Sequence, residues 1–335
     1  MKNVLVTGAA GFIGYHLTKL LLTDEGINVI ALDNINDYYS VSLKTDRLNN
    51  LGLQKVEGKW KSNNHRLSFY HIALTNRSEI SKMINEHQVN YVVHLAAQAG
   101  VRYSLGNPDA YVESNLADFV NLCECIKSSN IEHFVFASSS SVYGIENEVP
   151  YSETDNTSIP ISLYGATKKA NEVIGHSYSH LYGVKTTALR FFTVYGEWGR
   201  PDMAYFSFSN LIVQGKPIHV FNNGQLSRDF TYISDIVKSI CLILNKRAED
   251  KDAKNFEIFN IGNSSPVQLM DFISTLEESL GLKANKIFTE MQEGDVYHTY
   301  ADTTKLRDYI GFSPEVTLKK GLKNFSDWFK NYYHS

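Results

Sequence analysis

A glycine-rich turn between a short apolar segment and an amphipathic one constrains this chain most strongly. Residues 3–7 are apolar, too few for a helix, and stop at Gly8, which predicts a buried strand. Residues 11–22 then carry apolar side chains at helical spacing, which predicts a helix. Gly8, Gly11 and Gly14 recur at intervals of three, and glycines permit a tight turn and close packing of a helix on a strand. The segment therefore predicts the first strand–turn–helix unit of a parallel sheet.

Strand and helix signals keep alternating after this unit. Further strands are predicted at residues 28–32, 67–72, 91–95 and 133–138, and helices at about residues 41–51, 77–87 and 108–128. Unbroken alternation of this kind is typical of an α/β fold. We therefore expect a Rossmann-type, doubly wound parallel sheet.

The pattern loosens after Ser141. A long helix is predicted over residues 162–182 and a strand over residues 185–190, and mixed short elements follow to the C-terminus. We expect a Rossmann domain over residues 1–190 and a smaller, mixed α/β domain over residues 191–335. Later segments of the chain are expected to cross back into the first domain.

Composition excludes several classes of protein. The 32 Lys and Arg residues against 36 Asp and Glu residues give a net charge of −4, which argues against nucleic-acid binding. Apolar runs are too short to span a bilayer, and the chain enters a strand at once, so neither a membrane span nor a signal peptide is expected. Three cysteines suit a reducing, cytoplasmic location, and no Cys/His spacing predicts a metal site.

The glycine turn has the chemistry of a phosphate cradle. Free N–H groups and the helix dipole face outward from such a turn, where a dinucleotide pyrophosphate can bind. Asp33 ends the next predicted strand, and an acid there accepts hydrogen bonds from a ribose 2′-hydroxyl and repels a 2′-phosphate. The combination predicts NAD rather than NADP, although a glycine triplet alone can also be a purely structural turn.

A second group of residues suggests proton transfer. Tyr164 and Lys168 begin the long predicted helix, and a spacing of four places them on one face. A nearby ammonium stabilises a phenolate, so Lys168 is expected to lower the pKa of Tyr164 from about 10. The serines at residues 138–141 end the fifth predicted strand, at the sheet edge where such folds bind ligands. The alternative is an ordinary surface pair, because the chain contains 20 tyrosines.

These motifs together resemble the extended short-chain dehydrogenase/reductase superfamily over nearly the whole chain. Within it, the chain is most similar to nucleotide-sugar epimerases, and specifically to UDP-glucuronate 4-epimerases. The residues that carry the likeness are TGAAGFIG (7–14), LDNINDYY (32–39), HLAAQAGVRYS (94–104), SSSVYG (139–144), LRFFTVYG (189–196), GRPDMA (199–204) and RDFTYI (228–233). GRPDMA and the DYY stretch are the narrower signals.

The resemblance implies a reaction and its residues. Tyr164 is the base, Lys168 holds the nicotinamide ribose, and Ser139 bonds the reacting hydroxyl. NAD is tightly bound and recycled, because C4 is oxidised to a transient 4-keto sugar and then reduced from its other face. The implied dinucleotide contacts are Gly8, Gly11, Phe12, Ile13, Gly14, Asp33, Asn34, Asn36, Leu95, Ala96, Ala97, Asn115, Tyr164 and Lys168.

The implied substrate is a UDP-sugar. The residues expected to contact it are Arg102, Ser139, Thr193, Arg200, Arg228 and Asp295, and the 191–335 region would mainly hold the nucleotide sugar. Thr193 and Arg200 resemble positions that meet a uronate carboxylate, which suits the planar arginine fork. The alternative for Arg200 is a surface ion pair. The family also implies a homodimer formed through helices near residues 108–128 and 162–182.

Four residues depart from the family pattern. Ala73 stands where many relatives have an aspartate that bonds the adenine amine, so another group is needed for that contact. Glu197 and Glu293 replace prolines, and Ser234 replaces an aspartate. We expect Glu197 to pair with Arg200 and so weaken its hold on a carboxylate.

Three rival functions stay open at this point. A 4,6-dehydratase or a UDP-glucuronate decarboxylase usually has an acid just after Ser139, where this chain has Ser140 and Ser141. A non-enzymatic NAD-sensing protein on the same fold is the third, and the Tyr164–Lys168 pair argues against it. The expected function is C4 epimerisation of UDP-glucuronate to UDP-galacturonate.

Overall fold

The core of the protein is a seven-stranded parallel sheet. The computed structural model describes residues 1–250, 254–291 and 296–333. The strands of this sheet are β1 (Lys2–Thr7), β2 (Ile27–Asp33), β5 (Leu67–His71), β6 (Tyr91–His94), β7 (His133–Ser139), β8 (Thr186–Phe191) and β12 (Phe256–Ile261). The strand order across the sheet is β12-β8-β7-β6-β1-β2-β5, with every pairing parallel. This order confirms the expected α/β, Rossmann-type, doubly wound fold.

Helices cover both faces of the sheet. The helices are α1 (Phe12–Leu21), α2 (Val41–Asn50), α3 (Arg77–Glu86), α4 (Tyr103–Gly106), α5 (Pro108–Tyr111), α6 (Asp118–Ile126), α7 (Leu163–Tyr182), α8 (Ala204–Val213), α9 (Ile233–Glu249), α10 (Leu269–Leu280), α11 (Thr304–Ile310) and α12 (Leu318–Tyr333). Alternate strand residues enter opposite cores: Val4 and Val6 pack on the side of helices α1 and α9, whereas Leu5 packs on the side of α3, α6 and α7.

Smaller sheets surround the central one. A hairpin pairs β3 (Leu53–Val56) with β4 (Lys59–Ser62), and β10 (Ile218–Val220) pairs with β14 (Lys286–Phe288). A three-stranded sheet has the order β13-β11-β9, with β9 (Thr193–Tyr195), β11 (Ser227–Tyr232) and β13 (Pro266–Gln268). Strand β12 lies late in the chain yet joins the central sheet beside β8. The division of the chain near residue 190 into two domains stays a prediction.

Most predicted elements agree with the structure to within two residues. The predicted helix over residues 108–128 is instead α5, a π-helical stretch (Val112–Ala117) and α6 in succession. The β3–β4 hairpin was not expected, because its strands are polar and exposed. In the described part of the chain, no helix has the length and apolar character needed to cross a bilayer.

A buried ion pair joins helix α7 to the sheet. Arg190 on β8 donates from Nε and Nη2 to the two oxygens of Glu172 on α7, at 2.8 and 2.9 Å. Both side chains are only 2% exposed. Ser138 near the end of β7 donates to the same carboxylate at 2.7 Å, and Arg190 Nη1 donates to the Tyr143 hydroxyl at 3.0 Å. This network fixes the helix against the tips of β7 and β8.

Candidate functional site

The glycine turn connects β1 to α1 at the carboxyl edge of the sheet. Gly8 has a φ of +72°, and a Cβ atom there would lie 2.6 Å from the Ala96 nitrogen. A Cβ atom at Gly14 would lie 2.1 Å from the Gly8 carbonyl oxygen, so the close packing of α1 on the turn requires glycine. Gly11 caps α1 without a side-chain hydrogen bond, which leaves the first N–H groups of the helix available to an anion.

Asp33 ends β2 next to this turn. Its Oδ2 accepts a hydrogen bond from the Ala10 backbone at 2.9 Å, and its Oδ1 accepts one from Ile35 at 2.7 Å. Burial raises the pKa of Asp33, while these bonds and the nearby Lys44 ammonium oppose the rise. Each carboxylate oxygen retains a lone pair for a ribose hydroxyl. The turn, the uncapped helix and Asp33 together fit the diphosphate and ribose of NAD.

A deep cleft runs from this turn along the carboxyl edge of the sheet. Most of the predicted site residues line it, namely Gly8, Gly11, Phe12, Ile13, Gly14, Asp33, Asn34, Asn36, Leu95, Ala96, Ala97, Ser139, Tyr164, Lys168, Thr193, Arg200 and Arg228. The fold therefore brings together residues that follow β1, β2, β6, β7 and β8, residues of helices α1 and α7, and Arg228 of β11.

The expected proton-transfer residues meet at the centre of the cleft. Lys168 is 3% exposed and donates from Nζ to the Ala137 carbonyl at 2.9 Å. Burial lowers the pKa of Lys168 to about 8. The Ser139 hydroxyl contacts its own loop, with 3.2 Å to the Ser141 backbone nitrogen and 3.2 Å to the Ser141 hydroxyl.

The pKa of Tyr164 is raised rather than lowered. Burial is the largest cause, and a hydrogen bond from Ser139 and the positive charge of Arg200 oppose it. The expectation that Lys168 lowers this pKa is wrong for the protein alone, because the ammonium is directed at the Ala137 carbonyl. Two other groups, Ser139 and Arg200, stabilise the phenolate instead.

Arg200 is held by a neighbour that we did not predict. Its Nε donates to Asp202 Oδ1 at 3.0 Å and its Nη2 to Asp202 Oδ2 at 2.6 Å, a bidentate pair. Tyr38 donates to the same carboxylate at 3.1 Å. The predicted pairing with Glu197 is wrong, because the Glu197 carboxylate accepts a hydrogen bond from the Tyr232 hydroxyl at 2.5 Å.

Two predicted contacts, Asn115 and Arg102, are not among the described residues that line the cleft. Asn115 lies behind its wall, where its amide bonds the backbone of Gln98 at 2.8 and 3.0 Å and Thr167 at 3.0 Å. The Arg102 guanidinium lies 5.0 Å from the centre of the Phe221 ring. Asp295, like Glu293, lies outside the described residues.

Sequence reasoning missed Arg47, which is completely buried. Its guanidinium donates to the Ala10 carbonyl at 2.8 Å, within the glycine turn, and to the Tyr39 hydroxyl at 2.7 Å. It also donates to the carbonyls of Trp198 and Gly199, at 2.6 and 3.0 Å. Arg47 thus joins the dinucleotide turn to the segment that presents Arg200. An arginine on an amphipathic helix carries no sequence signal for such a role.

Comparison with known proteins places this arrangement in a family. The family model described as "NAD dependent epimerase/dehydratase family" matches residues 4–262, and the chain belongs to that family.

Particular relatives cover almost the whole chain. Protein CapI of Staphylococcus aureus is 47% identical over 99% of this chain and 99% of CapI. UDP-glucuronate 4-epimerase 1 of Arabidopsis thaliana is 46% identical over 99% of this chain and 77% of that protein. The crystal structure of UDP-glucuronic acid 4-epimerase from Bacillus cereus, in complex with UDP-glucuronic acid and NAD, superposes with a TM-score of 0.88 at 34% identity, covering 99% of this chain and 100% of that one.

The glycine geometry generates a direct test. Gly14→Ala forces a Cβ atom against the Gly8 carbonyl, and because that neighbour is backbone we expect a loss of about 3 kcal/mol in the free energy of unfolding. NAD binding should weaken as well. Urea denaturation and NAD titration provide the measurements. Gly106→Ala is the control, because nothing lies within 4 Å of its added Cβ; equal stability of both variants would contradict the packing argument.

Proposed function

We propose that the protein is an NAD-dependent isomerase that converts UDP-glucuronate to UDP-galacturonate. The observation that carries this proposal is that Arg200 lines the same cleft as Tyr164, Lys168 and Ser139. A planar cation beside a catalytic phenol suits a sugar that bears a carboxylate. Relatives named UDP-glucuronate 4-epimerase support the same substrate.

In this proposal the cleft divides between cofactor and substrate. Residues 1–190 mainly hold NAD, which supplies the hydride acceptor for C4 when bound. Residues 191–335 mainly hold the nucleotide sugar, with Arg228 at the diphosphate. Arg228 Nη1 already donates to the carbonyls of Ser227 and Tyr297, at 2.9 and 3.2 Å, which fixes its direction.

Tyr164 would take the proton of the 4-hydroxyl and later return it. Burial disfavours the Tyr164 phenolate, whereas the hydrogen bond from Ser139 and the charge of Arg200 stabilise it and so favour loss of the phenol proton. Ser139 also reaches the reacting oxygen and can hold its proton. Because the proton and the hydride both return, the reaction consumes no reductant, and NAD would stay bound between turnovers.

A uronate also creates a side reaction. Its 4-keto form is a β-keto acid, which loses CO2 when the carboxylate bond aligns with the carbonyl π system. We propose that Thr193 and Arg200 hold the carboxylate in the carbonyl plane and so suppress this loss. Asp202 and Tyr38 keep the guanidinium in place while it does so.

The acidic residues on the cleft wall favour epimerisation over the rival chemistries. Among the described residues that line the cleft, the carboxylates are Asp33 and Asp118, and both belong to the dinucleotide end. Ser140 and Ser141 stand beside Ser139 instead. A dehydratase or decarboxylase of this family would need an acid free to act near the sugar, whereas the Asp202 carboxylate is bound by Arg200 and Tyr38.

We also propose a cytoplasmic homodimer. The helices expected to pair expose large apolar side chains, with Val112, Val173 and Leu181 exposed by 47%, 59% and 65%. Cys123, Cys125 and Cys241 are all free thiols, which suits a reducing compartment.

A product assay tests the reaction. Purified protein incubated with UDP-glucuronate and no added NAD should form UDP-galacturonate, detected by chromatography. Tyr164→Phe should lose roughly 100-fold or more of this rate, because the ring stays but the proton carrier is gone. Tyr333→Phe, at an exposed tyrosine, is the matched control. UDP-pentose as the main product would support the decarboxylase, and no turnover of any UDP-sugar would support the NAD sensor.

The role of Arg200 has its own test. Arg200→Ala should release UDP-pentose during turnover or stall, because the carboxylate is no longer held. The ratio of pentose to epimer measures this leak. Glu197→Gln is the control, since Glu197 bonds Tyr232 and not Arg200. Normal epimerisation by Arg200→Ala without pentose would exclude the proposed role.

A charged residue placed in the proposed interface tests the dimer. Val173→Asp on α7 should convert the protein to monomers, because an unpaired carboxylate is costly in an apolar interface. Sedimentation velocity gives the mass. Leu282→Asp, at a leucine 43% exposed beyond α10, should leave the mass unchanged. A wild-type protein that sediments as a monomer would refute the dimer.

A further inference from the structure

One carboxylate in the cleft has an unused oxygen. Asp118, the first residue of α6, lines the cleft. Its Oδ1 is buried, and within the described residues it has no hydrogen-bond partner. A buried acceptor without a donor costs free energy, so such an atom calls for a ligand group. None of the residues implied by the family resemblance covers this position.

The position of Asp118 follows from its neighbours. Helix α6 runs beside the segment that follows β5, because Arg77 Nε donates to Asn121 Oδ1 at 2.6 Å and Cys125 Sγ donates to the Arg77 carbonyl at 3.5 Å. Asp118 precedes Asn121 by one helical turn, toward the cleft. Leu74, at the start of that segment, lines the cleft too. Asp118 therefore lies at the β5 end.

The order of the strands shows which part of NAD reaches this end. Ser139 ends β7, the glycine turn follows β1, and Asp33 ends β2, so the catalytic centre, diphosphate and ribose sites follow one another across the sheet. Strand β5 is next after β2. The base attached to that ribose must then lie against Ile72 and Leu74, two apolar side chains on the cleft wall.

We infer that the Asp118 carboxylate accepts a hydrogen bond from the exocyclic amine of the adenine of NAD. The inference rests on the NAD site of the proposed function but not on the sugar reaction. Residue 73, directly between the two apolar wall residues, is alanine and supplies no side-chain acceptor. Asp118 is the described carboxylate on the wall at this end of the cleft beyond Asp33.

The charge of Asp118 makes this contact selective. Burial raises the pKa of Asp118 to about 6, and the charge of Glu113 adds to the rise while the Asn121 amide opposes it. Above that pH the side chain is an acceptor only. An amine on the purine ring can donate a hydrogen bond to the Asp118 carboxylate. A keto oxygen at the same ring position is itself an acceptor, so the carboxylate repels it.

Comparison of two dinucleotides tests the inference. The full chain, freed of nucleotide with charcoal, is titrated calorimetrically with NAD and with nicotinamide hypoxanthine dinucleotide, which has a keto oxygen in place of the amine. The wild-type protein should prefer NAD by roughly tenfold or more. Asp118→Ala should lose that preference. Asp118→Asn keeps the shape but donates from its amide, so it should favour the hypoxanthine form.

The control and the contrary outcomes are equally specific. Glu113→Gln removes a nearby exposed charge away from the cleft wall and should keep the wild-type preference. Equal weakening of both dinucleotides in Asp118→Ala and Asp118→Asn would show a structural role and overturn the inference, as would unchanged affinities. Because the titration contains no sugar, failure of the epimerase assay would not affect the inference about Asp118. Failure of the titration would likewise not affect the proposed epimerase reaction.

Discussion

The ion pair between Glu172 and Arg190 fixes the part of the molecule on which the site depends. It is buried, bidentate and shared with Ser138, the residue before Ser139. Lys168 lies one turn and Tyr164 two turns before Glu172 on the same helix. Removing one partner of such a pair typically costs about 3–5 kcal/mol, because the other charge is left unpaired. The buried ion pair therefore fixes the relative positions of Tyr164, Lys168 and Ser139, although it does not itself line the cleft.

The parallel sheet explains why residues far apart in the chain meet. Each strand ends at the same edge, so the loops after β1, β2, β5, β6, β7 and β8 form one continuous cleft. Local sequence determines what each loop contributes, and strand order determines its place along the cleft. A dinucleotide and a sugar nucleotide can then meet end to end at the centre, where Tyr164 lies.

The sequence was sufficient for the fold because periodicity is a local signal. Buried strands and amphipathic helices have a recognisable pattern of apolar residues within a short segment, whereas the polar β3–β4 hairpin has no such pattern. Residues of the glycine turn and of the first turns of α7 line the cleft, as expected, for the same reason. Contacts between particular side chains were harder to predict from the sequence. Glu197 is near Arg200 in sequence, yet Arg200 pairs with Asp202, and Glu197 bonds Tyr232. Asn115 was expected at the cofactor but braces Gln98. A side chain's direction depends on packing that spacing does not encode.

Arg47 has a consequence that reaches across the molecule. One rigid, planar group bonds the turn beneath the dinucleotide and the two peptide carbonyls that precede Arg200. Trp198, held there with a φ of +56°, packs its ring 5.2 Å from Trp328 and 5.1 Å from Tyr332 on the last helix. The position of the segment that presents Arg200 therefore depends on the same arginine as the glycine turn, and aromatic side chains of α12 support that segment from its other side.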